Sequence, residues 1–216
     1  MHTRVTALAL VASVVLSGGA ANATTKHKAV KKPPPPVCNL IKDLESDSGP
    51  LVAQGQTTGY DQSLDIVSAD VASDGKNLTA VIRLKKLTEF TNTAPDTNSP
   101  LGREWQFNLV INVTHNYGLA AFDGPFGKNF TTGADGGVFD YAHNEIRITQ
   151  PVSALPFALP KGTPMSTLTA TAYSVLQLDP AAGFGNATIL SQEDTAAAKP
   201  GTKYSAGAAS CVKVGK

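Results

Sequence analysis

LDIVSADVASDGKNLTAVIRLKKL, Leu64 to Leu87, reads as two strands and the turn between them. In the first arm Leu64, Ile66 and Ser68 alternate with Asp65, Val67 and Ala69. In the second, Leu78, Ala80, Ile82 and Leu84 alternate with Thr79, Val81, Arg83 and Lys85. This is the two-residue period of extended chain. Between the arms lies Ser73-Asp74-Gly75-Lys76-Asn77, whose Asp-Gly pair tolerates the positive φ angles of a tight hairpin. The second arm has an apolar face and a face carrying charge, which predicts an antiparallel sheet with one side on a core and the other in water.

Outward from the hairpin the same period recurs. Glu104 to Thr114, EWQFNLVINVT, places Trp105, Phe107, Leu109, Ile111 and Val113 on one face and Glu104, Gln106, Asn108 and Asn112 on the other, the pattern of a core strand. Tyr117–Phe122 follows across Asn116 as its partner, then Val138–Ala142, Glu145–Thr149 ended by Pro151, and the threonine-rich Ser166–Leu178. Thr88–Gly102 and Val152–Pro164 are proline-bearing connections. After Asp179 the chain turns rich in alanine and glycine, with no strong pattern until Ser210-Cys211-Val212. About eight short strands, turn signals between them and no amphipathic helix predict an all-β fold, a single antiparallel β-sandwich.

The ends have a different composition. Residues 1–23 pair a short basic start (His2, Arg4) with an apolar run from Val5 to Leu16 and the small-residue ending Ala21-Asn22-Ala23. They read as a signal peptide cleaved after about Ala23, the run being shorter than the ~20 residues that span a bilayer. Thr24–Val37 carries four lysines, no acid and four consecutive prolines, a basic, stiff, extended linker into a domain at Cys38–Lys216. A solvated leader and a contact for an anionic envelope surface are both compatible with its lysines.

The net charge of +1 hides an asymmetry, because five of the 18 basic residues precede Cys38 while all 17 acids follow it. A mildly acidic body argues against nucleic acid as a partner, since phosphate binding needs a basic face. Cys38 and Cys211 bracket the domain, and in an exported chain two such cysteines read as a disulfide that brings the domain's ends together. Two free thiols or an intermolecular link are the alternatives.

Cys38 with Asp43, Asp47 and Gly49, then LDIVSADVASDGKNLTAVIRL, EWQFNLVINV, NEIRITQPVSAL and STLTATAYSVLQL, give an order of signals that resembles the family 9 carbohydrate-binding modules and the related DOMON domains. The resemblance runs from Cys38 to about Leu178. It implies a jelly-roll-like sandwich, often calcium-bearing, that binds sugars or haem or stands beside secreted hydrolases. Sugar capture in such modules leans on aromatic rings, and here the single tryptophan, Trp105, falls on the apolar face of a core strand. For haem the domain from Cys38 onward offers only Met165, His115 and His143.

Among candidate sites calcium is the sharpest. A hard cation takes six to eight oxygens from carboxylates, amides and carbonyls in turns. Asp43, Asp47, Asp65 and Asp70 would supply them if the N-terminal turn folds over the strand beginning near Asp65; otherwise these aspartates hydrogen-bond their own backbone. A second group is Asp123, Asp135-Gly136-Gly137 and Asp140. GxSxG, HExxH and P-loop motifs are absent. Sequons at Asn77, Asn112, Asn129 and Asn186 carry no argument in a chain this rich in threonine.

The residues therefore predict a secreted, non-enzymatic binding or accessory module, calcium-stabilised if the acidic turn folds over its strand, whose partner is a carbohydrate, a cell-envelope component or a protein. Two further readings stay open: a secreted hydrolase around His115, His143 and the Asp135–Asp140 loop, and a structural or adhesive surface protein.

Overall fold

Leu64–Leu87 folds as the sequence predicts in a computed structural model of the chain, which describes residues 35–49, 51–53, 56–91, 101–125, 127–131, 136–178 and 187–215. The expected signal peptide and most of the linker lie outside these residues. The described strands are β1 (Ile41–Lys42), β2 (Leu51–Ala53), β3 (Gln56–Gly59), β4 (Ile66–Ser73), β5 (Asn77–Leu84), β6 (Gly102–Ile111), β7 (His115–Gly124), β8 (Gly127–Phe130), β9 (Gly137–Asp140), β10 (Glu145–Pro151), β11 (Pro164–Leu178), β12 (Ala187–Ala197) and β13 (Tyr204–Ser205). In the β4–β5 turn Asp74 accepts the Lys76 and Asn77 N–H groups through Oδ1 at 2.8 and 2.7 Å, and Gly75 takes φ +84°.

Two antiparallel sheets form the sandwich. One has the order β1-β4-β5-β10-β9; the other is β12-β11-β6-β7-β8, with β13 added to β11, and β2-β3 makes a separate ribbon. The chain crosses between the two sheets after β5, β8 and β10, so neither sheet is built from one run of sequence. The core lies between Leu78, Ala80, Ile82, Ile146 and Ile148 of the first sheet and Trp105, Phe107, Leu109 and Ile111 of the second, all 2 % exposed or less. Trp105 also donates its Nε1–H to the Ser63 carbonyl at 2.8 Å and meets Phe139 edge-on with ring centroids 5.7 Å apart. An indole N–H in a core needs such a partner, because desolvating it unpaired is costly.

The expectation of a water-facing side on the hairpin is corrected. Thr79 and Val81 are as fully buried as Leu78, Ala80 and Ile82. The C-terminal segment supplies the cover: the Gly215 N–H reaches Thr79 Oγ1 at 3.3 Å, Arg147 Nη1 reaches the Lys213 carbonyl at 3.5 Å, and Val212 is buried. What keeps that segment in place is the Cys38–Cys211 disulfide, with Cα atoms 5.3 Å apart, beside a parallel bridge between Val37 and Ser210. A polar outer row thus became buried because the chain's two ends are tied across it.

A second difference is β12, eleven residues paired with β11 in a region without a strand signal in its sequence. Its ATILSQEDTAA lacks a clean alternation. Edge strands tolerate this, since only one of their sides must pair.

Candidate functional site

The turn after β1 is pinned at both ends. Asp43 donates its N–H to the Val67 carbonyl of β4 at 3.0 Å, and Gly49 donates to the Glu193 carbonyl of β12 at 2.6 Å. These bonds lay the turn across the junction of the two sheets. They bring Asp43 and Asp47 to Asp194 on β12, with one carboxylate oxygen from each within 4.8 Å of the others.

Asp194 is 7 % exposed, and its Oδ2 accepts the Ile66 N–H of β4 at 2.7 Å, so it bridges the sheets. Burial, reinforced by the nearby charges of Asp43 and Asp47, pushes its carboxyl up to about 6. Burial likewise raises Asp43, with Asp47 and Asp65 adding to it.

Asp65 lies beneath the same turn and is fully buried. Its Oδ2 accepts the Ser46 N–H at 2.7 Å and the Tyr60 hydroxyl, and Lys85 Nζ stands 4.0 Å from that oxygen. Its Oδ1 is buried with no hydrogen-bond partner, as is Asp43 Oδ2. Among the described residues, Asp43, Asp47 and Asp194 are the group of acids, histidines or cysteines whose ligand atoms converge.

Asp70 is not drawn into this group. Its Oδ2 meets Arg83 Nη1 at 2.7 Å, and its Oδ1 accepts the Leu40 N–H at 2.8 Å. Ser68 and Asp70 share the face of β4 beside Arg83 of β5, and Arg83 takes up the Asp70 carboxylate there. Asp194, by contrast, sits on a strand the sequence did not announce. An acid at the centre of SQEDTAA was the available signal, and nothing local tied it to Asp43.

The second acidic group does not assemble among the described residues. Asp123 accepts the Phe90 N–H at 3.1 Å, Asp140 pairs with His143 Nδ1 at 2.7 Å, and Asp135 lies outside those residues. His115 is exposed and lies against Phe157, ring centroids 4.7 Å apart. Neither histidine joins a converging group of ligand atoms among the described residues.

On the outer side of the larger sheet a cavity of about 280 Å³ opens where β6, β7 and β11 meet. Asn108, Asn116, Gly118, Thr167 and Thr169 line it, and among the described residues no charged side chain does. A bulge shapes it: the β6–β11 register shifts between Ser166 and Thr169, and Thr167 takes φ +51°. Gly118 lies close beneath Asn108, since a Cβ there would fall 2.8 Å from Asn108 Oδ1. Beyond the cavity the register continues a polar row, pairing Asn108 with Thr169, Gln106 with Thr171 and Glu104 with Tyr173. Burial raises Glu104, against the pull of the Gln106 amide that donates to it at 2.7 Å.

Comparison of the chain with protein-family models, with curated proteins and with solved structures returns no match.

Proposed function

We propose that this chain is an exported, non-enzymatic binding module and that the outer face of its larger sheet captures a neutral carbohydrate. The observation that carries the reading is the cavity lined by the uncharged Asn108, Asn116 and Thr169, continued along the sheet by Gln106. Carboxamides both donate and accept, and hydroxyls do the same, so such a lining matches the alternating donors and acceptors of sugar hydroxyls. Among the described residues lining that cavity, none offers a charged ligand a counter-charge. Specific small-ligand sites are built from a few convergent polar groups in a concavity, and this face provides them.

Export is supported by the signal-like start, and by a disulfide of the kind that persists in oxidising compartments. The lysine and proline arm would then hold the module away from a surface.

Retention of the full secreted chain on insoluble neutral glycans, with peptidoglycan as a further arm, tests the reading. Binding to one neutral glycan, weakened at least tenfold by Asn108→Ala with unchanged melting, is the expected result. No retention on any glycan, or retention indifferent to Asn108→Ala and Gln106→Ala, overturns it.

A further inference from the structure

We infer that residues 212–215 are a strap over the outer face of the smaller sheet, and that the Cys38–Cys211 disulfide is a latch which a dithiol reductant opens. Both cysteines are exposed, so an attacking thiolate can reach the bond, whereas a disulfide inside a core is closed to exchange. Little else holds the strap. Among the described residues it forms no backbone ladder with any strand. Its bond from the Gly215 N–H to Thr79 Oγ1 is 3.3 Å and that from Arg147 Nη1 to the Lys213 carbonyl is 3.5 Å, both longer than an ordinary N–H···O bond. Val212 is buried, yet a cavity of about 280 Å³ remains where Val212 and Val214 meet Ser73, Asp74 and Gly75 of the β4–β5 turn. The strap rests on the sheet without filling the space beside it.

What lies beneath is suited to water. The β5–β10 register sets Thr79 opposite Thr149, Val81 opposite Arg147 and Arg83 opposite Glu145. The two threonine hydroxyls are 3.1 Å apart, and Arg83 and Arg147 both pair with Glu145, at 2.8 and 2.9 Å. Apart from Val81 this row is polar or charged and paired within itself, yet Thr79 is fully buried. Uncovering such groups costs little, because water replaces the contacts they lose. The opposite row of β5, with Leu78, Ala80 and Ile82, has no such freedom and stays in the core. The cover can therefore leave while the sandwich stays folded.

Opening is a thiol–disulfide exchange. One thiolate of the dithiol attacks a sulfur of the bond, forms a mixed disulfide and releases the other cysteine; its second thiol then displaces the remaining cysteine. Two electrons pass from the dithiol, which leaves as a disulfide, and the two protons it gives up end on Cys38 and Cys211. The Val37–Ser210 bridge survives this step, with the Val37 N–H on the Ala209 carbonyl at 3.0 Å and the Cys211 N–H on the Val37 carbonyl at 3.1 Å. Those bonds fix the chain up to Cys211 and leave residues 212–215 beyond them, so the bridge is a hinge for the strap and not a second latch. An oxidising compartment keeps the face covered; a dithiol uncovers it.

The test is hydrogen exchange of the full secreted chain before and after dithiothreitol without denaturant, with iodoacetamide trapping the freed thiols. Both cysteines should be alkylated, and exchange at Thr79 and Thr149 should rise by about tenfold or more, the signature of local opening. Leu109 and Ile111 of β6 should stay protected. Removing residues 212–216 with the disulfide intact should raise exchange at the same two threonines with no reductant present. A bond that resists dithiothreitol until denaturant is added overturns the proposal. So does exchange at Thr79 that stays slow after reduction, or a rise that the truncation does not reproduce. Exchange at Leu109 rising in step with Thr79 on reduction overturns it as well, since the bond would then staple the whole sandwich.

Discussion

Asp70 and Arg83 face each other across the β4–β5 hairpin, Nη1 standing 2.7 Å from Oδ2, and the other oxygen of Asp70 takes the Leu40 N–H at 2.8 Å. One carboxylate thereby joins the hairpin to the segment that enters from Cys38. Arg83 also reaches Glu145 of β10 at 2.8 Å, so the ion pair spans three neighbouring strands. The Asp70 side chain is 1 % exposed. Removing one partner of such a buried pair leaves an uncompensated charge and typically costs about 3 to 5 kcal/mol. Asp70→Ala should therefore lower stability by about 3 kcal/mol in urea unfolding, and Asp70→Asn by less, since it keeps an acceptor for Leu40.

Trp105 reports on the core and not on a ligand. Its ring is fully buried and its N–H is used by Ser63. Its fluorescence should be blue-shifted, resist acrylamide quenching, and stay unchanged when a glycan binds. Trp105→Ala should cost about 3 to 5 kcal/mol, as emptying a large core site does. An emission change on glycan binding would place the tryptophan in the ligand site instead.

Asp194 predicts a pH dependence of stability. Its carboxyl titrates at about 6 in the folded state against an ordinary 3.8. The folded state thus binds this proton more tightly than the unfolded one, and its contribution favours folding at low pH. That contribution is present below about pH 4, is lost as pH rises toward 6, and is absent above. Asp43 and Asp47 from the turn strengthen the effect, while the Ile66 and Thr195 N–H groups oppose it. The melting temperature of the wild type relative to Asp194→Asn should fall between pH 4 and pH 6. A constant difference across that range would contradict the burial of this charge.

The disulfide closes a separation of 173 residues. Constraint of the unfolded chain by a loop this long is worth up to roughly 5 kcal/mol, and measured values commonly fall nearer 2 to 4. Paired replacement, Cys38→Ser with Cys211→Ser, should lower the melting temperature by on the order of 10 °C. It should also increase hydrogen exchange at Thr79 and Val81 first, because the segment covering them is held by this bond.

Much of the sandwich was legible in the chain, and the reason is local. Strands such as Trp105–Ile111 and Leu78–Leu84 bury one alternating row against the opposite sheet, and that row is written as apolar residues. β12 was not legible, because this strand at the edge of its sheet carries SQEDTAA, which has no apolar alternation. The burial of Thr79 was equally hidden, since its cover arrives from Gly215, 136 residues away. The acidic cluster was half legible. Asp43 and Asp47 share a turn rich in aspartate and serine, but Asp194 enters through a tertiary contact and Asp70 leaves through one.

Carbohydrate capture on the larger sheet is tested most directly by amide resonances. The secreted chain, isotope-labelled and titrated with the neutral oligosaccharide that it retains, should show shifts at the Asn108 and Gln106 side-chain amides and at the backbone of Gly118 and Thr169. The β4–β5 turn at Asp74–Lys76 should stay still. Shifts confined to another face, or none at saturating sugar, would contradict the proposal that this face is the binding site.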